Sequence, residues 1–300
     1  MEVANISPDT GDGESWSIKR MIFWSAEYLD SKGVENARLD AEWLLAEALD
    51  MDRLQLYLQY DRLLNLVEKS AFKSLLLRRA AREPLQYILG NTSFRELNLL
   101  TDIRVLIPRQ ETEVLVESVL AWGSEQEGGL GRVLDLGTGS GAIGISLALE
   151  GKCSQVVATD VKSDALAVAI NNAKRNGVED RMEFRSGSLF DSINSDEKFQ
   201  VIVSNPPYIP DSEVSLLQPE VVEWEPAEAL FGGKSGMEIM KEIIIEAPKN
   251  LTSKGLLALE CGLGQSEQVV SEIEATETFS EVMTHRDLNG RERVVTAERN

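Results

Sequence analysis

Val133-Leu134-Asp135-Leu136-Gly137-Thr138-Gly139-Ser140-Gly141 reads as a short apolar strand running into a glycine-rich turn that opens a helix over 141–150. Glycine tolerates positive φ and lets a backbone approach a ligand closely. Gly139, Gly141 and Gly144 match the G-x-G-x-x-G spacing, a pattern that by itself specifies little beyond a nucleotide-type loop. Downstream, strands alternate with helices. Strands are expected at 132–136, 155–159, 182–186, 199–204 and 255–261, and helices at 163–176, 236–248 and 264–275. Two more short strands, near 279–284 and 292–297, complete the sheet. This alternation predicts an α/β fold with a mostly parallel seven-stranded sheet covered by helices on both faces. Ligands in such folds sit outside the carboxyl ends of the strands, where the strand order reverses.

Upstream of that stretch the pattern is different. Gly123 to Gly131, rich in Gly and Glu, reads as a linker, and Glu111 to Trp122 as an amphipathic helix. Phe94 to Ile107 suggests short strands, as in a hairpin. Residues from about 15 to 90 read as helical. One helix carries Ala41, Leu45, Ala48 and Leu49 on its apolar stripe near 37–50; another carries Phe72, Leu75, Leu76 and Arg79 and must stop before Pro84. Trp24 and Trp43 are expected in the core of these helices. The expected organisation is a disordered tail at 1–14, a small N-terminal helical domain at 15–92, a hairpin and helix linker region at 93–122, and a catalytic domain at 123–300.

Two positions narrow the ligand. Asp160 ends the next strand, 23 positions after Gly137, where its carboxylate can accept hydrogen bonds from both ribose hydroxyls. That pairing fits adenosine ligands in general, nicotinamide dinucleotides and S-adenosylmethionine alike. Asn205-Pro206-Pro207-Tyr208 follows the buried run Val201-Ile202-Val203. The prolines fix φ and remove two backbone donors, leaving a stiff turn that offers the Asn205 side-chain oxygen and backbone carbonyls as acceptors. Such a turn suits a planar NH2 group. A hydride-transfer enzyme has no evident use for it, whereas a methyltransferase acting on nitrogen must align that nitrogen with a sulfonium methyl.

Composition limits the partners. The chain has 300 residues, is 43% hydrophobic, and balances 30 basic against 50 acidic residues for a net charge of −20. That charge opposes non-specific association with nucleic acid, which depends on neutralising phosphates. From Phe199 to Gly233 there is no Lys or Arg, while Asp211, Glu213, Glu220, Glu223, Glu225 and Glu228 are all acidic, a stretch suited either to solvent or to a basic partner. No charge-free apolar run approaches a membrane span, and Met1 to Glu14 lacks the apolar segment of a secretory signal. Cys153 and Cys261 are too few for a disulfide framework or a zinc site, and both read as buried thiols. The expectation is a cytoplasmic monomer without metal.

The glycine loop, Asp160 and Asn205 to Tyr208 together resemble class I S-adenosylmethionine-dependent methyltransferases, a Rossmann-like fold. More closely, nearly the whole chain after the tail resembles the peptide chain release factor N5-glutamine methyltransferases, the PrmC/HemK family. Glu83-Pro84-Leu85-Gln86-Tyr87-Ile88-Leu89-Gly90 is similar to that family's end of the helical domain. Val105-Leu106-Ile107-Pro108-Arg109-Gln110-Glu111-Thr112-Glu113 is similar to its Ile-Pro-Arg-Pro-Glu-Thr-Glu segment, with Gln110 in place of proline. Leu230-Phe231-Gly232-Gly233, Glu260-Cys261-Gly262 and Asp287-Leu288-Asn289-Gly290-Arg291 match later landmarks.

The resemblance implies cofactor contacts at Gly137, Thr138, Gly139, Ser140, Gly141, Asp160, Ser188, Leu189 and Asn205. Ser188 departs from the acidic residue often found there. It also implies a catalytic clamp at Asn205, Pro206, Pro207 and Tyr208, S-adenosylmethionine as methyl donor, and the glutamine of the Gly-Gly-Gln loop of class I release factors as substrate. In that reading Asn205 and the Pro206 carbonyl accept the amide N–H groups and Tyr208 packs on the amide plane. Arg109 and Glu111 are expected to steady the domain junction, with ligand contact as the alternative, and the lone His285 to be structural. The helical domain is implied to recognise the protein partner. Rival readings are a ribosomal-protein glutamine methyltransferase, a nucleic-acid N6-adenine methyltransferase, which would act on a flipped base, and a binding module that has kept the fold and lost the chemistry.

Overall fold

The structure is a computed structural model and describes residues 15–300; the tail expected at 1–14 lies outside the described residues. The chain divides into two units, one formed by the chain up to Gly90 together with Pro219–Trp224, the other by Asn91–Gln218 with Glu225–Asn300.

The first unit holds α1 (Ile18–Asp30), α2 (Ala37–Leu49), α3 (Arg53–Leu58), α4 (Leu66–Ala80), α5 (Leu85–Leu89) and, from the later segment, the single turn Pro219–Val222. Helix α4 starts where Asn65 accepts from the Glu68 amide and Glu68 returns a bond to the Asn65 amide, a reciprocal cap that satisfies two otherwise orphaned donors. Pro84 lies beyond its last turn, as expected. Ile18, Met21, Ile22, Leu29, Ala41, Leu44, Leu45, Phe72 and Leu76 form the core. Trp24 packs at the edge of that core, stacked on Tyr28. Trp43 is not core: it is 42% exposed, with the Arg53 guanidinium 5.1 Å from its ring. Helical periodicity could not distinguish an apolar face from an amphipathic indole that lies on the surface beneath a cation.

The second unit begins with a hairpin of β1 (Asn91–Phe94) and β2 (Leu97–Leu100), followed by α6 (Gln110–Glu125). The expected linker at 123–131 is shorter than its composition suggested: α6 runs through Glu125 and a strand starts at Gly131. Next come β3 (Gly131–Leu136), α7 (Ala142–Glu150), β4 (Cys153–Asp160), α8 (Ser163–Arg175), β5 (Met182–Ser186) and β6 (Phe199–Ser204). With the turn at Pro219–Val222 counted as α9, the chain ends in α10 (Glu238–Asn250), β7 (Leu251–Glu260), α11 (Ser266–Ala275), β8 (Phe279–Arg286) and β9 (Glu292–Arg299).

The seven large-sheet strands run in the order β5-β4-β3-β6-β7-β9-β8, parallel except for β9, which is antiparallel to both β7 and β8. Side chains alternate across it. Val133, Val156, Val201, Val203, Leu256 and Ala258 face a core completed by Leu115, Val119, Ile145 and Leu147 of α6 and α7. Leu134, Leu136, Val157, Ile202, Leu257 and Leu259 face the opposite core with Met240, Ile243, Val269 and Ile273 of α10 and α11. Burial on both faces is why these strands read as continuous apolar runs. Cys261 is buried, whereas Cys153 is only partly so.

In the helical unit a buried guanidinium holds two carboxylates. Arg79 Nε donates to Asp40 at 2.7 Å, its Nη2 to Glu220 at 3.0 Å and its Nη1 to the Glu83 carbonyl at 3.1 Å, and Arg82 also pairs with Glu220. Burial pushes the Asp40 carboxyl up, opposed by Arg79. Removing one partner of a buried pair strands the other charge, so Arg79→Ala should lower the unfolding free energy by about 3–5 kcal/mol, read by urea denaturation. A loss below about 1 kcal/mol, the range of a surface pair, would contradict this role.

Candidate active site

Strands β3 and β6 are neighbours although β4 and β5 intervene in sequence, so the strand order reverses between them. Leu136 pairs with Ser204, and Ser204 Oγ donates to the Leu136 carbonyl at 2.8 Å. The glycine loop and the Asn205 turn therefore leave the sheet from adjacent strand ends, where a ligand cleft is expected.

The loop is held from below. Asp135 is fully buried and accepts from Thr138 Oγ1 at 2.6 Å and from the Gly144 amide at 3.0 Å; burial pushes its carboxyl up to about 6 against those bonds. A Cβ at Gly144 would come within 2.9 Å of the same carboxyl, so glycine there serves packing rather than a ligand. Gly137, Gly139 and Gly141 all have positive φ, at +70°, +54° and +85°. Asn172 of α8 closes the loop from the side, donating to the Ser140 and Leu100 carbonyls and accepting from the Leu100 amide.

A cleft of about 200 Å³ opens above the loop. It is lined among others by Gly137, Gly139, Asp160, Ser188, Leu189, Asn205 and Pro207. A Cβ at Gly137 or Gly139 would meet no atom within 4 Å, so the bare backbone faces open space that a ligand can fill. Asp160 receives the Gly139 amide on one oxygen and the Lys162 amide on the other, both at 2.9 Å. Each carboxylate oxygen keeps a second lone-pair direction for a ribose hydroxyl. Leu189 adopts φ +45°, in the left-handed region. Thr138 and Ser140 are buried beneath the loop, with the Thr138 hydroxyl spent on Asp135. These groups fit S-adenosylmethionine, with bare backbone for its amino-acid end and an acidic strand end for its ribose.

The Asn205 turn is clamped by a segment that sequence reading named only as a landmark. The Ile209 amide donates to Leu230 and the Gly232 amide to Ile209, both at 3.0 Å. A Cβ at Gly232 would lie 2.3 Å from the Pro207 carbonyl oxygen, and one at Gly236 the same distance from that of Tyr208. Gln265 Nε2 donates to the Tyr208 carbonyl at 2.9 Å while its Oε1 accepts from Gly262. Asn205 Nδ2 donates to Thr112 Oγ1 at 3.2 Å, which leaves Oδ1 as the acceptor. Tyr208 Oη reaches Glu260 Oε1 at 3.3 Å, and burial together with that carboxylate pushes the phenol up. Thr112, Glu260 and Gln265 escaped sequence reading as site residues, although two lie in quoted motifs. Periodicity assigns Thr112 to a helix and Glu260 to a strand end, and neither pattern reveals which side chain turns towards the site.

Other candidates separate from this cleft. Arg109 pairs with the buried Glu225, which also accepts from the Ile107 amide at 3.2 Å; its role is to brace the 105–110 segment. His285 bonds Thr296 across the β8–β9 pair and lines a different cavity. The acidic stretch is not wholly free for a partner: Glu220 pairs with Arg79 and Arg82, Glu225 with Arg109 and Glu228 with Lys162. A larger depression of about 670 Å³ lies on the helical unit, but its Glu42 is engaged by Arg38, Arg53 and Tyr57. No described helix is long and apolar enough to cross a membrane, and among the described residues no His, Cys, Asp and Glu group could hold a metal.

The PrmC N-terminal domain family matches residues 21–90, and the methyltransferase small domain family matches residues 111–222. The release factor glutamine methyltransferase of Geobacter sulfurreducens is 44% identical over 282 residues, covering 94% of this chain and 96% of that protein. The protein of the same name from Leptospira interrogans is 39% identical, covering 93% and 97%. Among solved structures, the hMettl16 catalytic domain bound to a 3′UTR hairpin aligns with a TM-score of 0.53 at 17% identity, covering 74% of this chain and 81% of that one; at that identity the likeness is one of fold.

Asp160→Ala should weaken S-adenosylmethionine binding about tenfold or more, the scale of losing charge-assisted hydrogen bonds, as titration calorimetry would measure. Unchanged affinity would remove the ribose assignment.

Proposed function

Because the chain belongs to the release factor glutamine methyltransferase family, we propose that it transfers a methyl group from S-adenosylmethionine to the side-chain amide nitrogen of the glutamine in the Gly-Gly-Gln loop of class I release factors, acting in the cytoplasm as a monomer without nucleic acid. The observation that carries the reading is the Asn205 turn, opening on the same cleft as the glycine loop with its Asn205 oxygen uncommitted.

When bound, S-adenosylmethionine supplies an electrophilic methyl group. The amide nitrogen that receives it is a poor nucleophile because its lone pair is delocalised into the carbonyl. Asn205 Oδ1 and the Pro206 carbonyl accept its two N–H bonds, which raises electron density on nitrogen and directs the lone pair. Pro206 is buried and the turn is bonded to 230–236 and Gln265, so these acceptors are preorganised and need no rearrangement at reaction. Tyr208 packs on the amide plane. Orientation of this kind is worth ~7–11 kcal/mol in favourable cases. After transfer the nitrogen is strongly acidic, and its proton leaves to solvent.

The acidic character of residues 199–233 supports a protein amide over a nucleobase, since no cationic surface for phosphates arises there. Mixing the protein with labelled S-adenosylmethionine and, separately, release factor, ribosomal protein and DNA tests the substrate: label on the release factor supports the reading, and label only on either alternative overturns it. Asn205→Ala should bind S-adenosylmethionine nearly as wild type yet lose about 10²–10³-fold in turnover, as when one preorganised hydrogen-bonding group is removed from other active sites. Near wild-type turnover in that variant would sink the clamp.

A further inference from the structure

Five charged side chains line the cofactor cleft: Arg104, Asp160, Lys162, Glu228 and Glu242. Four are committed. Arg104 pairs with Asp102, Lys162 pairs with Glu228, and Asp160 takes the Gly139 and Lys162 amides. Glu242, in the second turn of α10, is exposed and has no hydrogen-bond or ion-pair partner among the described residues; the adjacent Lys241 pairs with Glu272 instead. Ile239, three residues earlier and so on the same helix face, lines the cleft as well. One uncommitted carboxylate therefore borders the ligand space from a helix that the binding described above does not use.

Strand order fixes which part of the ligand meets it. The glycine loop follows β3, Asp160 ends β4, and Gly187 to Leu189 follow β5, the next strand out. Neighbouring strands lie about 5 Å apart. With its amino-acid end on the glycine loop and its ribose on Asp160, S-adenosylmethionine brings its adenine to the 187–189 loop. That loop is tied down: the Gly187 amide donates to the Asp160 carbonyl at 3.1 Å and the Asp191 amide to the Ser188 carbonyl at 2.8 Å. Leu189 and Ile239 pack against one shared core, so the loop and the outer face of α10 wall the same end of the cleft.

Resting on S-adenosylmethionine as the ligand of this cleft, we infer that Glu242 is an adenine-binding residue and that it makes the cleft selective for a 6-amino purine. An ionised carboxylate only accepts hydrogen bonds. The exocyclic amino group of adenine is a donor, whereas a 6-oxo purine presents an acceptor at the same place. Glu242 accepts from the first and repels the second. The Ser188 hydroxyl, exposed on the facing loop, both donates and accepts and so cannot make that distinction alone. A site built around a donor on its ligand rejects the analogue that lacks it.

Titration calorimetry of wild type, E242A, E242Q and E246Q with S-adenosylhomocysteine and with S-inosylhomocysteine, its 6-oxo analogue, tests this without any turnover. Wild type should prefer the amino compound about tenfold or more, the scale of a hydrogen bond to a charged group. E242A should lose most of that preference through weaker binding of S-adenosylhomocysteine. E242Q, whose amide can turn its NH2 to the oxo group, should bind S-inosylhomocysteine more tightly than wild type does. E246Q removes the same charge one turn further along α10, at a residue that does not line the cleft, and should keep the wild-type ratio. An unchanged ratio in E242A and E242Q, or an equal change in E246Q, overturns the inference and leaves the proposed methyl transfer untouched. A wild type that binds neither compound overturns the cofactor reading with it.

Discussion

Parallel pairing of β3 with β6, Leu136 opposite Ser204, sets where everything else in the sheet unit must go. Each strand carries its own loop out of the sheet. Because the two strands are hydrogen-bonded neighbours, the glycine loop that can cradle a cofactor and the turn that can orient an amide emerge side by side. Strand neighbours lie about 5 Å apart, so donor and acceptor sites fall within reach of a single small ligand. The Ser204 hydroxyl bond to the Leu136 carbonyl locks the two strand ends at the last residue of each.

Around that pairing the polar groups are directed by burial. Asp135 and Glu260 are both buried carboxyls at strand ends, and desolvation raises both. Their surroundings assign them different work. Asp135 is bonded to Thr138 and Gly144 and shapes the glycine loop. Glu260 meets the hydroxyl of Tyr208 and borders the turn. Buried polar groups of this kind are costly unless satisfied. The unpartnered Oε2 of Glu260 is consistent with a carboxyl kept close to neutral. The acidic stretch follows the same logic, since Glu220 and Glu225 are claimed by arginines inside their own units.

Much of this was legible in the chain. Continuous apolar runs bounded by glycine and aspartate place the strands within a few residues, because burial on both sheet faces leaves no polar alternation to confuse them. The spacing from Gly137 to Asp160 and the stiffness of Asn205 to Tyr208 point to a cofactor and to a nitrogen. What stayed hidden was what only the third dimension creates. The need for glycine at Gly232 and Gly236 comes from carbonyls more than 20 residues away in the chain. The Asn205–Thr112 bond ties the turn to a helix start, and the Tyr208–Glu260 bond ties it to a strand end. The exposure of Trp43 and the ion pairs of Glu220 depend on packing that a helical period cannot express.

The proposed methyl transfer depends on one arrangement, an amide nitrogen held between the Asn205 oxygen and the Pro206 carbonyl. A crystal structure of the protein with S-adenosylhomocysteine and a Gly-Gly-Gln release-factor domain would measure it directly. The expected result is a glutamine nitrogen within hydrogen-bonding distance, about 3 Å, of both oxygens, with the thioether sulfur facing it across the cleft. A glutamine amide bound elsewhere, or one whose carbonyl rather than nitrogen meets Asn205, would contradict it.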